Sequence, residues 1–266
     1  MKHLKRTLAM ILALVLMATS VAACGRKAED VSEDVKETAT ATPEATPEAT
    51  PEATPEATPE ATPEATPDAG DDSEEVEADK VFGTVNGTTY TNEYFKFTME
   101  FPADWHVSSR EELLQVNQLG AQVVKEQSGT SKEVIDLTMQ QIVPLFMISK
   151  YGISSQEADN ATMNAQALNL GILVSQFKSP KDYLDLAIEG VKAQGIEMNT
   201  GEVTELKLGG HDFATVESTL TIAGLETKQS MYATFIDKYI VLFTMGYLDD
   251  AGKQTLVEVM NSIKFQ

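Results

Sequence analysis

Apolar and polar residues alternate at the start of the region that follows residue 80. Phe95, Phe97, Met99 and Phe101 occupy alternate positions with polar residues between them, and Pro102 ends the run. Because successive side chains of a strand point to opposite faces, this pattern predicts a β-strand with one buried face. Further strand-like runs lie at 144–150, 162–170, 203–208, 213–222, 225–236 and 239–245.

Helical spacing of apolar residues predicts helices before, between and after these strands. The spacing favours helices at 109–126 and 131–142, a third that begins at Ser179-Pro180, and a last one that begins near Asp249 or Asp250. Because short turns join most of the strands as hairpins, we expect an α+β fold. Its mainly antiparallel sheet would have six or seven strands sandwiched by helices.

Composition divides the chain into three parts. The whole chain carries 20 Lys and Arg against 41 Asp and Glu, a net charge of −21. Residues 1–23 are basic, residues 24–80 are acidic with almost no large apolar side chain, and residues 81–266 contain nearly all the aromatic residues. Only 81–266 has the composition to bury a core, which predicts one domain. The acidic balance argues against a nucleic-acid partner, because phosphates would be repelled.

Residues 1–23 have the three-part pattern of an export signal. Basic residues among the first six precede the apolar run Leu8–Met17, and small residues follow as far as Ala23. A membrane-spanning helix needs about 20 apolar residues. The run is shorter than that and ends in a cleavage-type sequence, so it predicts a signal peptide rather than a transmembrane anchor.

Cys24 follows this segment directly and is the only cysteine of the chain. The sequence Val21-Ala22-Ala23-Cys24 resembles the lipobox of bacterial lipoproteins, in which signal peptidase II cuts before a cysteine that receives a diacylglyceryl group. The resemblance implies lipidation of Cys24, with palmitate-type chains holding the protein at the extracytoplasmic face of the cell membrane. The alternative is an ordinary secretory signal with a chance cysteine. Lipidation explains the cysteine better, because a lone cysteine has no partner for an intrachain disulfide.

A four-residue repeat occupies residues 41–68 of the acidic part. The chain reads ATPE six times and then ATPD. Proline in every unit prevents a helix or a sheet ladder, and no large apolar side chain recurs to build a stacked core. The repeat therefore predicts an extended, polyproline-II-like spacer within a disordered linker that covers 24–80.

Two motifs in the third part resemble a known family. Asn92-Glu93-Tyr94-Phe95-Lys96-Phe97, followed by Phe101-Pro102-Ala103-Asp104-Trp105, is similar to the opening of PsbP/Mog1-like domains, and Ser262-Ile263-Lys264-Phe265 is similar to their end. The resemblance covers about 90–265 and implies the fold of this family for 81–266. Its motifs are core and turn residues, so it implies no chemistry. Members of the family serve as photosystem accessory subunits, as partners of a small GTPase, or as surface proteins without an assigned role.

The patterns of common active sites are missing from the sequence. It has no His-x-x-x-His motif, cysteine pair, calcium loop, Gly-x-Ser-x-Gly or Walker motif, so we predict no catalytic residue, metal or cofactor. His106 and His211 are the histidines of the third part, and we interpret both as surface or edge residues. A site assembled only in space, such as His106 with Asp104 and a distant serine, stays open as an alternative.

Three aromatic residues are candidates for a ligand cleft, namely Trp105, Tyr90 and Tyr94. An exposed aromatic platform would bind a ligand, whereas the family pattern favours Trp105 as a core residue beneath the first helix. We therefore expect a non-enzymatic, lipid-anchored protein that presents a binding or accessory domain to a protein or cell-envelope partner. The alternatives are an envelope-acting hydrolase that uses His and carboxylate residues, and an accessory subunit of a membrane complex.

Overall fold

Two antiparallel sheets organise the described residues, which in this computed structural model are 81–118, 140–153, 155, 157, 159–193, 198–222 and 225–266. The predictions for the signal segment 1–23, for Cys24 and the linker 24–80, and for helices over 119–126 and 131–139 lie outside these residues.

The main sheet has eight strands. Its strands are β4 (His106–Val107), β5 (Ile142–Ser149), β6 (Thr162–Asn169), β7 (Met198–Thr200), β8 (Thr204–Leu208), β9 (His211–Ile222), β10 (Leu225–Ile236) and β11 (Tyr239–Tyr247). They pair in the order β4-β5-β6-β11-β10-β9-β7, and β8 pairs with β9 beside β7. All these pairs are antiparallel, as the hairpin-like spacing predicts.

A smaller sheet joins the two ends of the domain. It contains β1 (Thr84–Asn86), β2 (Thr89–Asn92), β3 (Phe97–Glu100) and β12 (Lys264–Phe265), in that order. Residue Lys264 pairs with Thr98, and Phe265 pairs with Phe97. Local patterning identifies β3 but not this pairing, because β12 is only two residues long and its partner is far away in the sequence.

The helices are α1 at 110–118, α2 (Pro180–Ala193) and α3 (Asp250–Asn261), with a short 3-10 helix at Gly171–Gln176. One face of the main sheet packs against the small sheet and α3 through Phe97, Phe146, Phe243 and Leu256. The opposite face packs against α2 through the apolar residues Leu184, Ala187, Ile188, Val191, Ala214, Val216 and Leu242. The α+β class is confirmed, with the main sheet between two layers.

Local signals placed the helix starts correctly. Asp249 caps α3, where its side chain accepts a hydrogen bond of 2.7 Å from the Gly252 backbone N–H. Ser109 and Glu112 form a capping box at the start of α1. The Ser109 N–H donates to Glu112 Oε2 at 2.7 Å, and the Glu112 N–H donates to Ser109 Oγ at 3.2 Å. Side-chain oxygens thus satisfy backbone donors that have no partner within a helix.

The prediction of a helix over 131–142 is wrong at its C-terminal end. Residues 140–141 form a turn, and strand β5 begins at Ile142 and includes Pro144. The register of β5 against β6 shifts between Pro144 and Phe146, so the strand accommodates a residue that has no N–H to donate. Burial of the residues around Pro144 in the main sheet overrides the helical spacing.

Candidate functional site

A row of polar residues crosses the main sheet on the face that α1 and α2 cover. The pairing registers place each of its residues directly opposite the next one on the neighbouring strand. Directly opposite residues of antiparallel strands share a face. We call these seven residues the polar row: His106, Ser149, Thr162, Gly246, Gln229, Ser218 and Thr200.

Three further polar residues lie beside the polar row on the same face. Asn164 and Thr244 are directly opposite each other on β6 and β11, one pleat period away from Thr162 and Gly246. Gln166 follows on β6, opposite Leu242. We call these three residues the adjacent polar residues. They occupy the middle of the sheet, where a strand covered on both faces would ordinarily have apolar side chains.

The inner positions of this region are buried, and many of their polar atoms have no hydrogen-bond partner in the protein. Ser149, Thr162, Asn164, Gln166, Ser218, Gln229 and Thr244 are all buried. Seven buried side-chain polar atoms of the described residues are unpartnered, and five of the seven belong to this region. These five are Ser149 Oγ, Asn164 Oδ1, Gln166 Oε1, Ser218 Oγ and Gln229 Nε2.

On the opposite face of the sheet, the residues next to the polar row are mainly apolar. There Ile148, Met163 and Met245 are buried among apolar residues. Ser230 also points to that face, and its Oγ lies 2.8 Å from the hydroxyl of Tyr247. Unpartnered polar atoms are therefore concentrated on one face, and a buried atom of this kind destabilises the fold by about 1–3 kcal/mol. Such a concentration calls for an explanation other than packing.

Each of the two covering helices contacts a different half of this face. Leu113 and Val116 of α1 pack on Met147 of β5. Gln166 Nε2 donates to Asn117 Oδ1 of α1 at 3.5 Å. Helix α2 packs over β9 and β10. The buried polar positions carry only hydroxyl and amide groups, so the region offers uncharged donors and acceptors.

Charged residues lie at the β4–β5 edge, where the polar row ends. His106 Nε2 is 3.2 Å from Glu112 Oε2, the carboxylate that also caps α1. Nearby, Lys150 forms an ion pair with Asp159, and the Tyr151 hydroxyl donates to Asp159 at 3.0 Å. The hydrogen bond from Lys150 lowers the pKa of Asp159 and raises the pKa of Lys150. Both groups are partly exposed, so their pair stabilises the fold only weakly.

The predicted aromatic cleft residues lie in three different environments. Tyr90 is 1% exposed, and its hydroxyl donates to the Phe82 carbonyl at 2.9 Å, so its ring belongs to the core and is closed to a ligand. Tyr94 is 39% exposed and meets Tyr239 edge to face. Trp105 is partly buried against the core between the two sheets. Trp105 and Tyr94 each stay a candidate for a ligand contact, as two separate positions rather than as one cleft.

The two histidines occupy exposed positions. His211 stacks on Phe265 with ring centroids 3.7 Å apart, and His106 faces the capping carboxylate Glu112. Within the described ranges, no group of three or more His, Cys, Asp or Glu side chains could hold a metal ion. No described helix is both long and apolar enough to cross a membrane.

Sequence patterns did not reveal the polar row. Thr162, Asn164 and Gln166 alternate with Met163, Ala165 and Ala167, which is the usual pattern of a strand with one solvent-exposed face. The available signal was the apolar run 239–243 of the neighbouring strand β11, which predicts cover on both faces. Because β6 lies next to this strand, the polar side of β6 must be buried by the same cover.

Substitutions in the polar row should stabilise the ligand-free protein. In Gln229→Met a side chain of similar length replaces an unpartnered buried donor, so we expect the free energy of unfolding to rise by about 1 kcal/mol. The neighbouring substitution Ser230→Ala is the matched control on the other face. It removes a partner of Tyr247 and should lower the free energy of unfolding by about 1 kcal/mol. Urea unfolding measures both, and equal losses in the two variants would contradict the assignment.

Comparison with known proteins gives distant structural likenesses. No protein-family model matches the chain, and no curated protein matches it. The chain is similar to the solved structure of PsbP (CyanoP) from Synechocystis sp. PCC 6803, at 10% identity with a TM-score of 0.42, over 69% of this chain and 98% of that chain. It is also similar to LpqN, which is involved in cell envelope biogenesis of Mycobacterium tuberculosis, at 13% identity with a TM-score of 0.38, over 68% and 86%.

A third likeness is to a protein of unknown function from Pseudomonas aeruginosa, a putative regulator, at 14% identity with a TM-score of 0.34, over 41% of this chain and 74% of that one. PsbP belongs to the family that the motifs at 92–105 resemble. The α+β class of the present chain follows from its own strand order and layers.

Proposed function

We propose that this chain is a lipid-anchored extracytoplasmic protein that presents a non-enzymatic binding or accessory domain on an extended spacer. The signal-like residues 1–23 and the lipobox-like ending at Cys24 support export and lipidation. Several acyl chains on one residue make such an anchor durable, because each buried methylene contributes about 0.8 kcal/mol.

The proline repeat sets the distance between the anchor and the domain. At ~3.1 Å per residue, the repeat at 41–68 reaches roughly 85 Å when fully extended. Its negative charges repel one another and favour extension. The domain can therefore contact material well away from the membrane surface, such as the cell wall.

The polar row is the observation that favours binding. Five buried polar atoms of this region lack protein partners, and a bound molecule with complementary groups would satisfy them. The buried positions of the region carry no acid, base or nucleophile beyond serine and threonine hydroxyls, and His106 lies at its exposed edge. The arrangement therefore suits recognition through hydrogen bonds better than proton transfer.

Crosslinking on intact cells tests this function. A photo-crosslinking residue at Tyr151, which is 47% exposed beside the edge where the polar row ends, should capture a cell-envelope component. The control is the same residue at Val85, which is 40% exposed on the small sheet. Equal capture at both positions, or none at either, would contradict a binding surface at this edge. A single protein captured at Tyr151 would identify the domain as an accessory subunit.

A further inference from the structure

We infer that the polar row and the adjacent polar residues bind an uncharged, hydroxyl-rich ligand of the chemical class of a neutral sugar chain. The inference rests on the proposed function and specifies its ligand. It follows from three properties of the region, namely the absence of buried charge among its described residues, the mixture of donors and acceptors, and the length of the row.

The ligand is neutral because the site has nothing to pair with a charge. Every buried side chain of the region is a hydroxyl or an amide. The charged groups of the neighbourhood stand at the exposed edge, where Lys150 is already paired with Asp159. A carboxylate or phosphate at the centre of the sheet would be a buried charge without a partner, which is strongly unfavourable.

Hydroxyl groups match the unpartnered atoms better than other neutral groups do. Asn164 Oδ1 and Gln166 Oε1 only accept hydrogen bonds, Gln229 Nε2 only donates, and the oxygens of Ser149 and Ser218 do both. A ligand hydroxyl both donates and accepts, so a set of hydroxyls can serve all five atoms. A ligand with carbonyl oxygens alone would leave the two amide acceptors unsatisfied, and an apolar ligand would leave all five unsatisfied.

The length of the row favours a chain of sugars over a single ring. Its buried polar positions extend from β5 to β9 across four strand spacings, which at about 4.8 Å each make about 19 Å. Gly246 lies at the centre of the row, between Thr162 and Gln229, and places no side chain there.

Access to the row requires α1 and α2 to separate over it. Among the described residues, α1 is held on the sheet by a small apolar cluster, Leu113 and Val116 on Met147, with Ile153 beside it. Helix α2 belongs to a much larger apolar core. Because this face is covered, we expect ligand association to be slower than diffusion-limited docking.

Ligand-induced thermal stabilisation of the full chain tests the inference. The protein is purified in a detergent without a sugar headgroup and titrated with neutral probes, which are glucose, N-acetylglucosamine and short oligomers of each. Glucuronate and glucose 6-phosphate serve as charged counterparts, and trialanine as a peptide. We expect the neutral oligomers to raise Tm and to bind at least tenfold more tightly than their monomers, and the charged sugars to produce no shift.

Variants assign the binding to this face of the sheet. Gln229→Met and Ser218→Ala each remove an unpartnered polar atom and should weaken oligomer binding at least tenfold while the protein stays folded. The control Ser230→Ala changes the opposite face of the same strand and should keep the wild-type affinity. Equal weakening in the control would overturn the assignment of the site.

The outcomes separate this inference from the proposed function. Binding of the charged sugars or of trialanine, or no binding by any neutral sugar, overturns the ligand class. If the neutral sugars fail but the crosslinker at Tyr151 still captures an envelope component, the proposed binding function stands and only the ligand class is wrong. If neither experiment detects a ligand, both proposals fail.

Discussion

Replacing Cys24 by alanine is expected to abolish lipidation of the protein. The lipobox-like sequence offers one acceptor for the lipid, because Cys24 is the only cysteine of the chain. Without the thiol no thioether to diacylglycerol can form. The loss of lipidation should therefore be complete rather than partial.

Metabolic labelling of cells with a fatty acid measures this effect. The wild type should incorporate the label and the Cys24→Ala variant should not. Ser20→Ala is the matched control, since it changes a small residue of the same segment and leaves the cysteine intact. An unlabelled wild-type protein, or a Cys24→Ala variant that still incorporates the label, would contradict lipidation at this residue.

Replacing Asn92 by alanine is expected to cause the largest loss of stability among polar substitutions of the small sheet. Asn92 is buried, and its Nδ2 donates to the Val81 carbonyl at 2.8 Å and to the Tyr90 hydroxyl at 2.9 Å. Its Oδ1 accepts from the Phe95 N–H at 2.8 Å. Alanine removes all three bonds and leaves their partners buried, so we expect the free energy of unfolding to fall by about 3–5 kcal/mol.

Urea unfolding of the full chain measures the loss. The exposed residue Asn86 on β1 provides the control, and Asn86→Ala should change the free energy of unfolding by less than about 0.5 kcal/mol. A loss below about 1 kcal/mol in Asn92→Ala would mean that water replaces the lost partners. The expected large loss would explain the asparagine at the start of the family-like motif as a structural residue.

Residues whose environment is local were predictable from the sequence. The alternation of Phe95, Phe97, Met99 and Phe101 predicted their shared burial, and all four are in the core. A helix start at Asp249 or Asp250 was predicted because the backbone donors of a first helical turn need a nearby acceptor, and Asp249 is the residue that accepts. These signals act within a few residues, so a short stretch of sequence is enough to reveal them.

Residues whose role depends on distant partners were not predictable. Tyr90 and Trp105 were grouped as one aromatic cleft because they lie close in sequence, yet Tyr90 is fully buried and Trp105 is only partly so. The small sheet also escaped prediction, since β12 pairs with β3 although all the strands of the main sheet lie between them in the sequence. Burial and pairing of this kind depend on where the chain returns, which no local window contains.

The sequence by itself determined the division into 1–23, 24–80 and 81–266 and the antiparallel α+β class of the last part, because composition and side-chain periodicity are properties of the chain. Only the tertiary structure decided that Ser149, Asn164, Gln166, Ser218 and Gln229 form one buried polar surface. Each of these residues resembles an ordinary solvent-facing strand position in the sequence. Their burial arises because helices from other parts of the chain cover that face, and hydrogen-bonding groups are uncommon at such positions unless something satisfies them.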